Sequence, residues 1–379
     1  MKILIAMDSF KGSCSSLDAG NAIAEGVRRV DPLADLTVVP IADGGEGTGA
    51  ALALALGGTA HFVSVLDPLG RTFRAPFYEL PHATAVVELA AASGLTLLTE
   101  TERNPEITST FGTGQLIRAA LDHGARKLII GLGGSATNDG GTGLARALGV
   151  RFLDIGGNEL PPGGAALLRL SRIDLEQVDA RLQGTEILVA CDVDNPLLGP
   201  RGASAIFGPQ KGANAEQVQR LDVALGQYHR VLLETLQLDL KDLPGAGAAG
   251  GTTVALLAFT KATMQPGIDV VLNTLQFEEM LAGTDLVISG EGRIDAQTLH
   301  GKVIMGIVKR TKKQGVPLLA LAGSIGSGTE SLYEQGVTAM FPIAPGPITL
   351  QESMQRSQEL LADTAQRCLR LILGTVLSP

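Results

Sequence analysis

Short apolar runs alternate with helical periodicity in the first part of the chain. Residues 3–6 are all apolar, which predicts a strand buried on both faces. A helix is predicted from about Ser16, and its buried face is formed by Ile23, Val27 and Val30. Residues 36–41 predict a second strand, and an Ala- and Leu-rich helix then ends at the pair Gly57-Gly58.

The same alternation returns near the C-terminus. Residues 286–289, 318–322 and 340–343 are predicted strands, and a helix over residues 299–313 ends in basic residues, as the helix dipole favours. The last helix has one apolar face, formed by Leu361, Ala365, Cys368 and Ile372. We therefore expect Cys368 to lie in the core.

The middle of the chain has a different pattern. Residues 67–70 (Asp-Pro-Leu-Gly) and 156–158 (Gly-Gly-Asn) are turn sequences between extended stretches, and such hairpins require antiparallel or mixed strands. The sequence thus predicts an α/β protein in which residues 1–60 and 283–379 form a doubly wound parallel-sheet domain. Residues 61–282 form an inserted α/β domain with a mixed sheet.

Composition narrows the class of function. Of 379 residues, 45% are hydrophobic and 18% charged, which is enough apolar material for substantial cores. The net charge of −9 argues against a nucleic-acid partner, because phosphates require a basic surface. No apolar run reaches the ~18–20 residues of a membrane span. The three cysteines lack metal-ligand or redox spacing, which predicts reduced thiols in the cytoplasm.

Polar, glycine-rich clusters follow several predicted strands, and ligands of open parallel sheets bind beyond the carboxyl ends of strands. Residues 8–13 combine backbone amides, a helix start and Lys11, which suits an anion; the alternative is a serine helix cap. Residues 42–48 place Asp43 and Glu46 beside three glycines, which favours a bound cation or hydroxyl. The alternative for this second cluster is an acidic capped turn.

Two more clusters lie in the middle of the chain. Residues 133–141 surround Asn138 and Asp139 with small hydroxyls and amides, which is typical of a phosphate cradle with a metal-facing acid. Asp192 and Asp194 lie two apart after a predicted strand, so in an extended segment they face the same side. Such a pair can hold Mg²⁺, or one member can act as a base; the alternative is a loop with an Asx turn.

Three glycine-containing loops each carry a cation: Lys211, Arg293 and Lys302. Arg293 suits bidentate binding of a carboxylate or phosphate, although surface cations are usually only solvated. Residues 245–250 match the dinucleotide fingerprint but follow a turn rather than a strand. A looser match at residues 131–136 follows a predicted strand and keeps an NAD-dependent enzyme open as an alternative.

In chain order, these clusters closely resemble the bacterial glycerate kinase family of the glyoxylate and sugar-acid pathways. The matching segments span nearly the whole chain: residues 8–13, 42–48, 133–143, 191–195, 207–212, 244–251 and 289–295 with 301–302. The chain departs from the family in Met7, where proline is more frequent, and in Gln115, where glutamate is more frequent. The resemblance implies a flavodoxin-like domain built from both chain ends, and an enzyme that uses ATP and Mg²⁺ to phosphorylate D-glycerate.

For this reaction we expect base and phosphoryl-neutralising roles for Asp192, Lys11 and Lys211. The residues expected to bind the substrate are Asp8, Ser9, Asp43, Gly44, Gly45, Glu46, Arg293 and Asp295. Those expected at the nucleotide are Gly133, Gly134, Ser135, Thr137, Asn138 and Lys302. The candidate Mg²⁺ ligands are Asp192, Asp139 and Glu291.

The expected product is 2-phosphoglycerate, with 3-phosphoglycerate as the alternative position. The expected partners are the small molecules ATP and D-glycerate, with no nucleic acid or membrane, and the chain is expected to be a monomer or homodimer. Three other functions stay open at this point: an NAD-dependent hydroxy-acid dehydrogenase, a kinase for another small hydroxy acid, and a non-catalytic acid-binding sensor. The resemblance does not identify which carboxylate is the base.

Overall fold

The structure is a computed structural model, and it describes residues 1–299 and 303–376. The strands are β1 (Lys2–Met7), β2 (Asp35–Pro40), β3 (Thr59–Leu66), β4 (Thr72–Leu80), β5 (Thr84–Glu88), β6 (Lys127–Gly131), β7 (Arg151–Leu153), β8 (Arg172–Asp174), β9 (Glu186–Ala190), β10 (Ala262–Gln265), β11 (Leu286–Ile294), β12 (Leu318–Ile325) and β13 (Ala339–Pro342).

The helices are α1 (Ser16–Arg28), α2 (Thr48–Leu56), α3 (Ala90–Ser93), α4 (Phe111–Asp122), α5 (Thr142–Ala147), α6 (Ala203–Phe207), α7 (Ala215–Leu236), α8 (Ala248–Phe259), α9 (Gly267–Thr274), α10 (Phe277–Met280), α11 (Val303–Gln314), α12 (Ser331–Gln335), α13 (Leu350–Gln355) and α14 (Ser357–Val376). In the part of the chain that the structure describes, none of these helices has the length and apolar character needed to cross a bilayer.

The chain forms two compact units. The first unit consists of Met1–Asp43, Leu54–Leu56 and Ile268–Pro379, and the second consists of Gly44–Ala53 and Gly57–Gly267. Both chain ends therefore belong to the first unit. The domain boundaries predicted from the sequence, after residue 60 and before residue 283, stay a prediction.

The first unit contains a five-stranded sheet in the order β2-β1-β11-β12-β13, and every pair in it is parallel. Numbered within this sheet, the order is 2-1-3-4-5, which is the flavodoxin-like arrangement. Five of the six residues of β1 are buried, as the continuous apolar run at residues 3–6 predicts. The predicted doubly wound parallel sheet is thus confirmed.

The second unit contains a six-stranded sheet in the order β10-β9-β6-β5-β4-β3. Strands β3, β4 and β5 pair antiparallel, while β5, β6, β9 and β10 pair parallel, so the predicted mixed sheet is also confirmed. The turn predicted at residues 67–70 joins β3 to β4. The side chain of Asp67 closes it by accepting the N–H groups of Leu69 and Arg71, each at 2.9 Å.

Helices α1 and α14 of the first unit are in close contact. Helix α1 packs its apolar face against α14, and Cys368 of α14 lies in the shared core, as expected from the sequence. Gly26 of α1 faces the backbone of α14 so closely that a Cβ at this position would overlap the carbonyl group of Ala362. The absence of a side chain at Gly26 therefore sets the distance between the two helices.

We predict that Gly26→Ala destabilises the protein although alanine is the better helix former. Overpacking typically costs about 1–3 kcal/mol, which exceeds the ~1 kcal/mol that alanine gains over glycine inside a helix. The matched control is Gly226→Ala in α7, where the nearest atom to the new Cβ is Leu198 Cδ1 at 3.8 Å. Denaturant unfolding should show a loss for the first variant and a small gain for the second. Equal shifts in both variants would show that α1 and α14 separate without cost.

Candidate active site

A cavity of about 540 Å³ opens in the first unit at the carboxyl ends of its parallel strands. Its charged lining consists of Asp8, Lys11, Asp43, Glu291 and Arg293. Asp8 and Lys11 lie in the segment after β1, and Asp43 lies in the loop after β2. Glu291 and Arg293 belong to the last part of β11. Strand order reverses between β1 and β11, and such a switch point is where open α/β sheets bind ligands.

Strand register brings two of the acids side by side. Met7 of β1 pairs with Gly290 of β11, and the N–H group of Asp8 donates to the Gly290 carbonyl at 3.0 Å. Asp8 therefore leaves the sheet beside Glu291. Gly290 has no room for a side chain, because a Cβ there would overlap the carbonyl of Leu321 on β12. The glycine in the Ser-Gly-Glu-Gly sequence thus serves sheet packing rather than ligand approach.

The environment of Asp8 favours its protonated form. Burial raises the pKa of Asp8 to about 7, and the nearby carboxylates Asp43 and Glu291 act in the same direction. The backbone N–H of Ser9, 2.6 Å from Asp8 Oδ1, and the ammonium of Lys11 oppose this rise in pKa only in part. A carboxyl group with a pKa near neutrality is suited to proton transfer.

The other charged groups of the cavity differ in exposure. Glu291 is buried, and its Oε1 accepts the hydroxyl of Thr298 at 3.1 Å. Arg293 is largely exposed, and Asp295 pairs with its Nε at 3.0 Å. Lys11 is exposed as well. The cations of the cavity therefore face solvent, while one of its acids is fixed in the protein.

Asp192, the predicted base, lies in the second unit. It is exposed, and its Oδ1 accepts the N–H group of Gly267 at 2.8 Å. Asp194 does not share this partner, since it forms an exposed ion pair with Arg201 at 3.3 Å. Asp192 thus has at least a structural role in fixing the backbone at Gly267.

The loop at residues 44–47, predicted to bind substrate through Gly44, Gly45 and Glu46, is held by an acid that the sequence analysis missed. Glu88 ends β5 and accepts the N–H groups of Gly47 at 3.2 Å and Gly49 at 2.7 Å. Burial raises the pKa of Glu88, and these two N–H groups oppose the rise. The available signal in the sequence was a glutamate directly after the apolar residues 85–87.

The predicted nucleotide cradle is mostly buried in the second unit. Gly133 and Gly134 are exposed, whereas the side chains behind them are not: Ser135 is 6% exposed, and Thr137, Asn138 and Asp139 are 0% exposed. Asn138 Nδ2 donates to the hydroxyl of Ser204 at 3.0 Å. In this arrangement, contact between a nucleotide and Thr137 or Asn138 is not supported.

Asp139 and Lys211 were predicted to contact Mg²⁺ and the phosphoryl group, and their surroundings do not support these roles. The carboxylate of Asp139 accepts four donors, from the backbone and hydroxyl of Thr110 and from the N–H groups of Gly141 and Gly143. Three of these donors bind Oδ2 and one binds Oδ1, and the side chain is buried. Lys211 is 1% exposed and donates to the Thr137 carbonyl at 2.7 Å. Burial lowers the pKa of Lys211 to about 7, against the opposing effect of Asp139.

Neither glycine fingerprint has the strand–turn–helix context that a dinucleotide requires. Residues 245–250 follow a turn, and Ala249, Gly250 and Gly251 have positive φ at the beginning of α8. After β6 the next helix, α5, begins only at Thr142. The basis for an NAD-dependent enzyme is therefore absent from these two segments. Lys302, the remaining predicted nucleotide residue, lies outside the described residues.

Comparison with known proteins identifies relatives along nearly the whole chain. The model of the glycerate kinase family matches residues 3–373. The chain is 48% identical to a glycerate kinase of Bacillus subtilis, with 97% of this chain and 96% of the relative covered. It is 45% identical to a glycerate 2-kinase of Escherichia coli, with coverages of 94% and 93%.

The fold agrees with that of a solved relative. A crystal structure of a glycerate kinase 2 from Salmonella typhimurium LT2 superposes with a TM-score of 0.91 at 44% identity, and 100% of each chain is covered. Sequence and fold are thus shared over the same length, and the chain belongs to the glycerate kinase family.

Proposed function

We propose that this chain phosphorylates D-glycerate with ATP as phosphoryl donor and releases 2-phosphoglycerate. Its family membership supports a kinase that acts on glycerate. The observation that carries the proposal is the cavity of the first unit, where Asp8, Lys11 and Arg293 meet at the switch point of the sheet. The relative described as a glycerate 2-kinase supports the 2-hydroxyl as acceptor.

The charged groups of the cavity match what phosphoryl transfer requires. The reaction is an in-line displacement, in which positioning and charge neutralisation supply most of the rate enhancement. Arg293 offers a planar guanidinium that can bind the glycerate carboxylate with two parallel hydrogen bonds. Lys11 offers a compact cation for the transferring phosphoryl group. Asp8 accepts the proton of the attacking hydroxyl, and Ser9, Asp43 and Asp295 complete the substrate side.

Mg²⁺ is compatible with the acids of this cavity. Among residues 1–299 and 303–376, no three His, Cys, Asp or Glu side chains are placed to hold a metal by themselves. Mg²⁺ in kinases is commonly bound by one or two carboxylates together with the substrate phosphates, so a complete protein cage is not required. Glu291, which lines the cavity, fits this role, and the ion would neutralise charge on the phosphates.

Asp192 remains the second candidate for the base or a metal ligand. Its carboxylate is exposed, and Oδ1 accepts the N–H group of Gly267. The loop residues Gly44, Gly45 and Glu46 remain candidates for substrate contacts through their backbone. Mutations of Asp8 and of Asp192 are expected to change turnover in different ways, which distinguishes their roles.

The purified protein is expected to convert ATP to ADP only when Mg²⁺ and a short hydroxy acid are both present, with D-glycerate the best acceptor. Proton-coupled phosphorus NMR of the product should show coupling to the single C2 proton. Coupling to the C3 methylene protons would instead identify the product as 3-phosphoglycerate. A preference of about tenfold or more for another acid would contradict D-glycerate as the substrate, while the protein would still be a kinase.

The pKa of Asp8 predicts the pH dependence of turnover. A base must be deprotonated, so turnover measured at subsaturating ATP and glycerate should rise with pH through about 7 and then level off. Asp8→Asn should remove this limb and lower kcat by about 10²–10⁴-fold. Asp8→Glu is the matched variant, since it keeps a carboxylate in the cavity and should retain a shifted limb. An unchanged pH profile in Asp8→Asn would exclude Asp8 as the base.

The variant Asp192→Asn tests whether the negative charge of Asp192 is needed for catalysis or only its hydrogen bond for structure. Asparagine keeps a carbonyl oxygen for the Gly267 N–H group, so the melting temperature should hardly change. If Asp192 binds the metal or the proton, kcat falls by at least about 100-fold. Asp192→Ala also removes the acceptor and should lower the melting temperature. Normal kcat and normal Mg²⁺ dependence in Asp192→Asn would leave this residue with its structural role alone.

A further inference from the structure

The cavity of the first unit has an apolar side that the proposed chemistry does not use. It is formed by Phe10, Ile343, Leu350 and Met354. Leu350 and Met354 lie four residues apart on α13, so they share one face of the helix. Leu350 is 76% exposed, although it is a large apolar side chain at the mouth of a charged cavity. This face is the part of the cavity that a ligand would cover.

The segment that carries this face is fixed to the charged side of the cavity. The hydroxyl of Ser13, in the loop after β1, donates to the Met354 carbonyl at 2.6 Å. A Cβ on Gly12, whose φ is +75°, would lie 3.0 Å from Met354 Cε. The apolar side therefore adjoins the same loop that carries Lys11, and a single ligand can contact both.

Glycerate does not account for this apolar side. Each of its three carbons carries a polar group, so it has no apolar face that gains by leaving water. The cavity volume of about 540 Å³ falls within the range of roughly 300–1,000 Å³ that holds drug-sized ligands. A ligand with a flat, weakly polar ring at one end and negative charge at the other matches the two sides.

We infer that Leu350 and Met354 bind the base of the nucleotide whose transferring phosphoryl group faces Lys11. This inference rests on the proposed function, because it assigns a subsite to its phosphoryl donor. The ring covers Leu350 and removes it from water. Ser353 and Ser357 line the cavity beside Met354 and can donate to the edge of the base or to the ribose. The burial of Thr137 and Asn138 in the second unit agrees with a donor site elsewhere.

The binding test uses the full chain with ¹³C-labelled methionine methyl groups. Met354→Leu assigns the Met354 signal among those of the seven methionines. Mg·ADP should shift this signal and give a nuclear Overhauser contact between the methyl group and the adenine protons. Two control ligands lack the base: tripolyphosphate with Mg²⁺, which has the charge, and D-glycerate. Neither should shift the Met354 signal. Calorimetry on the same samples establishes whether ADP binds.

The kinetic test uses Leu350→Ala, with Leu33→Ala as a matched control. Leu33 is also highly exposed, at 92%, and it does not line the cavity. Leu350→Ala should raise KM for ATP by about tenfold, while kcat and KM for glycerate stay within about twofold. Leu33→Ala should leave all three unchanged. The split between the two KM values distinguishes base binding from a general loss of structure.

Four results would overturn the inference. ADP binding without a response at Met354 would place the base elsewhere and would not contradict the proposed kinase activity. A rise in KM for glycerate alone would assign the apolar side to the acceptor. A change in molecular mass with unchanged KM for ATP in Leu350→Ala would assign Leu350 to a contact with a second copy of the chain. Absence of both nucleotide binding and turnover would refute the proposed function together with the subsite.

Discussion

The parallel pairing of β1 with β11 is the constraint on which the candidate site depends. Because Met7 is opposite Gly290, the next residue along each strand direction is an acid, Asp8 after β1 and Glu291 within β11. A shift of one residue in this register would turn the side chains of β11 to the opposite face and remove Glu291 from the cavity. The crowding of Gly290 against Leu321 and the hydrogen bond from Asp8 to Gly290 both oppose such a shift.

The charge distribution of the cavity follows from that pairing. Burial and the nearby carboxylates of Asp43 and Glu291 raise the pKa of Asp8 to about 7, while the two cations of the cavity remain near solvent. Arrival of Mg²⁺ with its nucleotide would add positive charge and lower the pKa of Asp8, since a nearby cation stabilises the carboxylate. Binding and deprotonation of Asp8 would then be coupled.

The sequence predicted the elements that follow simple patterns, whereas glycines that serve packing carry no distinguishing signal. The apolar run at residues 3–6, the turn at Asp67 and the buried Cys368 all depend on local rules that the structure obeys. The loop at residues 133–141 looked like an exposed cradle. Its Gly140 and Gly141 instead allow close approach of Tyr228 and Thr252. A glycine beside a phosphate and a glycine beside a tyrosine look the same in sequence, and so do an exposed and a buried lysine.

Glu88 has a consequence for how the loop at residues 44–47 meets a ligand. Its carboxylate already holds the N–H groups of Gly47 and Gly49, so the loop has a defined shape before any substrate arrives. Glycine-rich segments otherwise lose much conformational entropy when they become ordered, and that loss weakens binding. Here the loss occurs during folding rather than at each catalytic cycle. The flexibility that three glycines would confer on the loop is thus removed by one internal anion, and the enzyme retains their small size without their disorder.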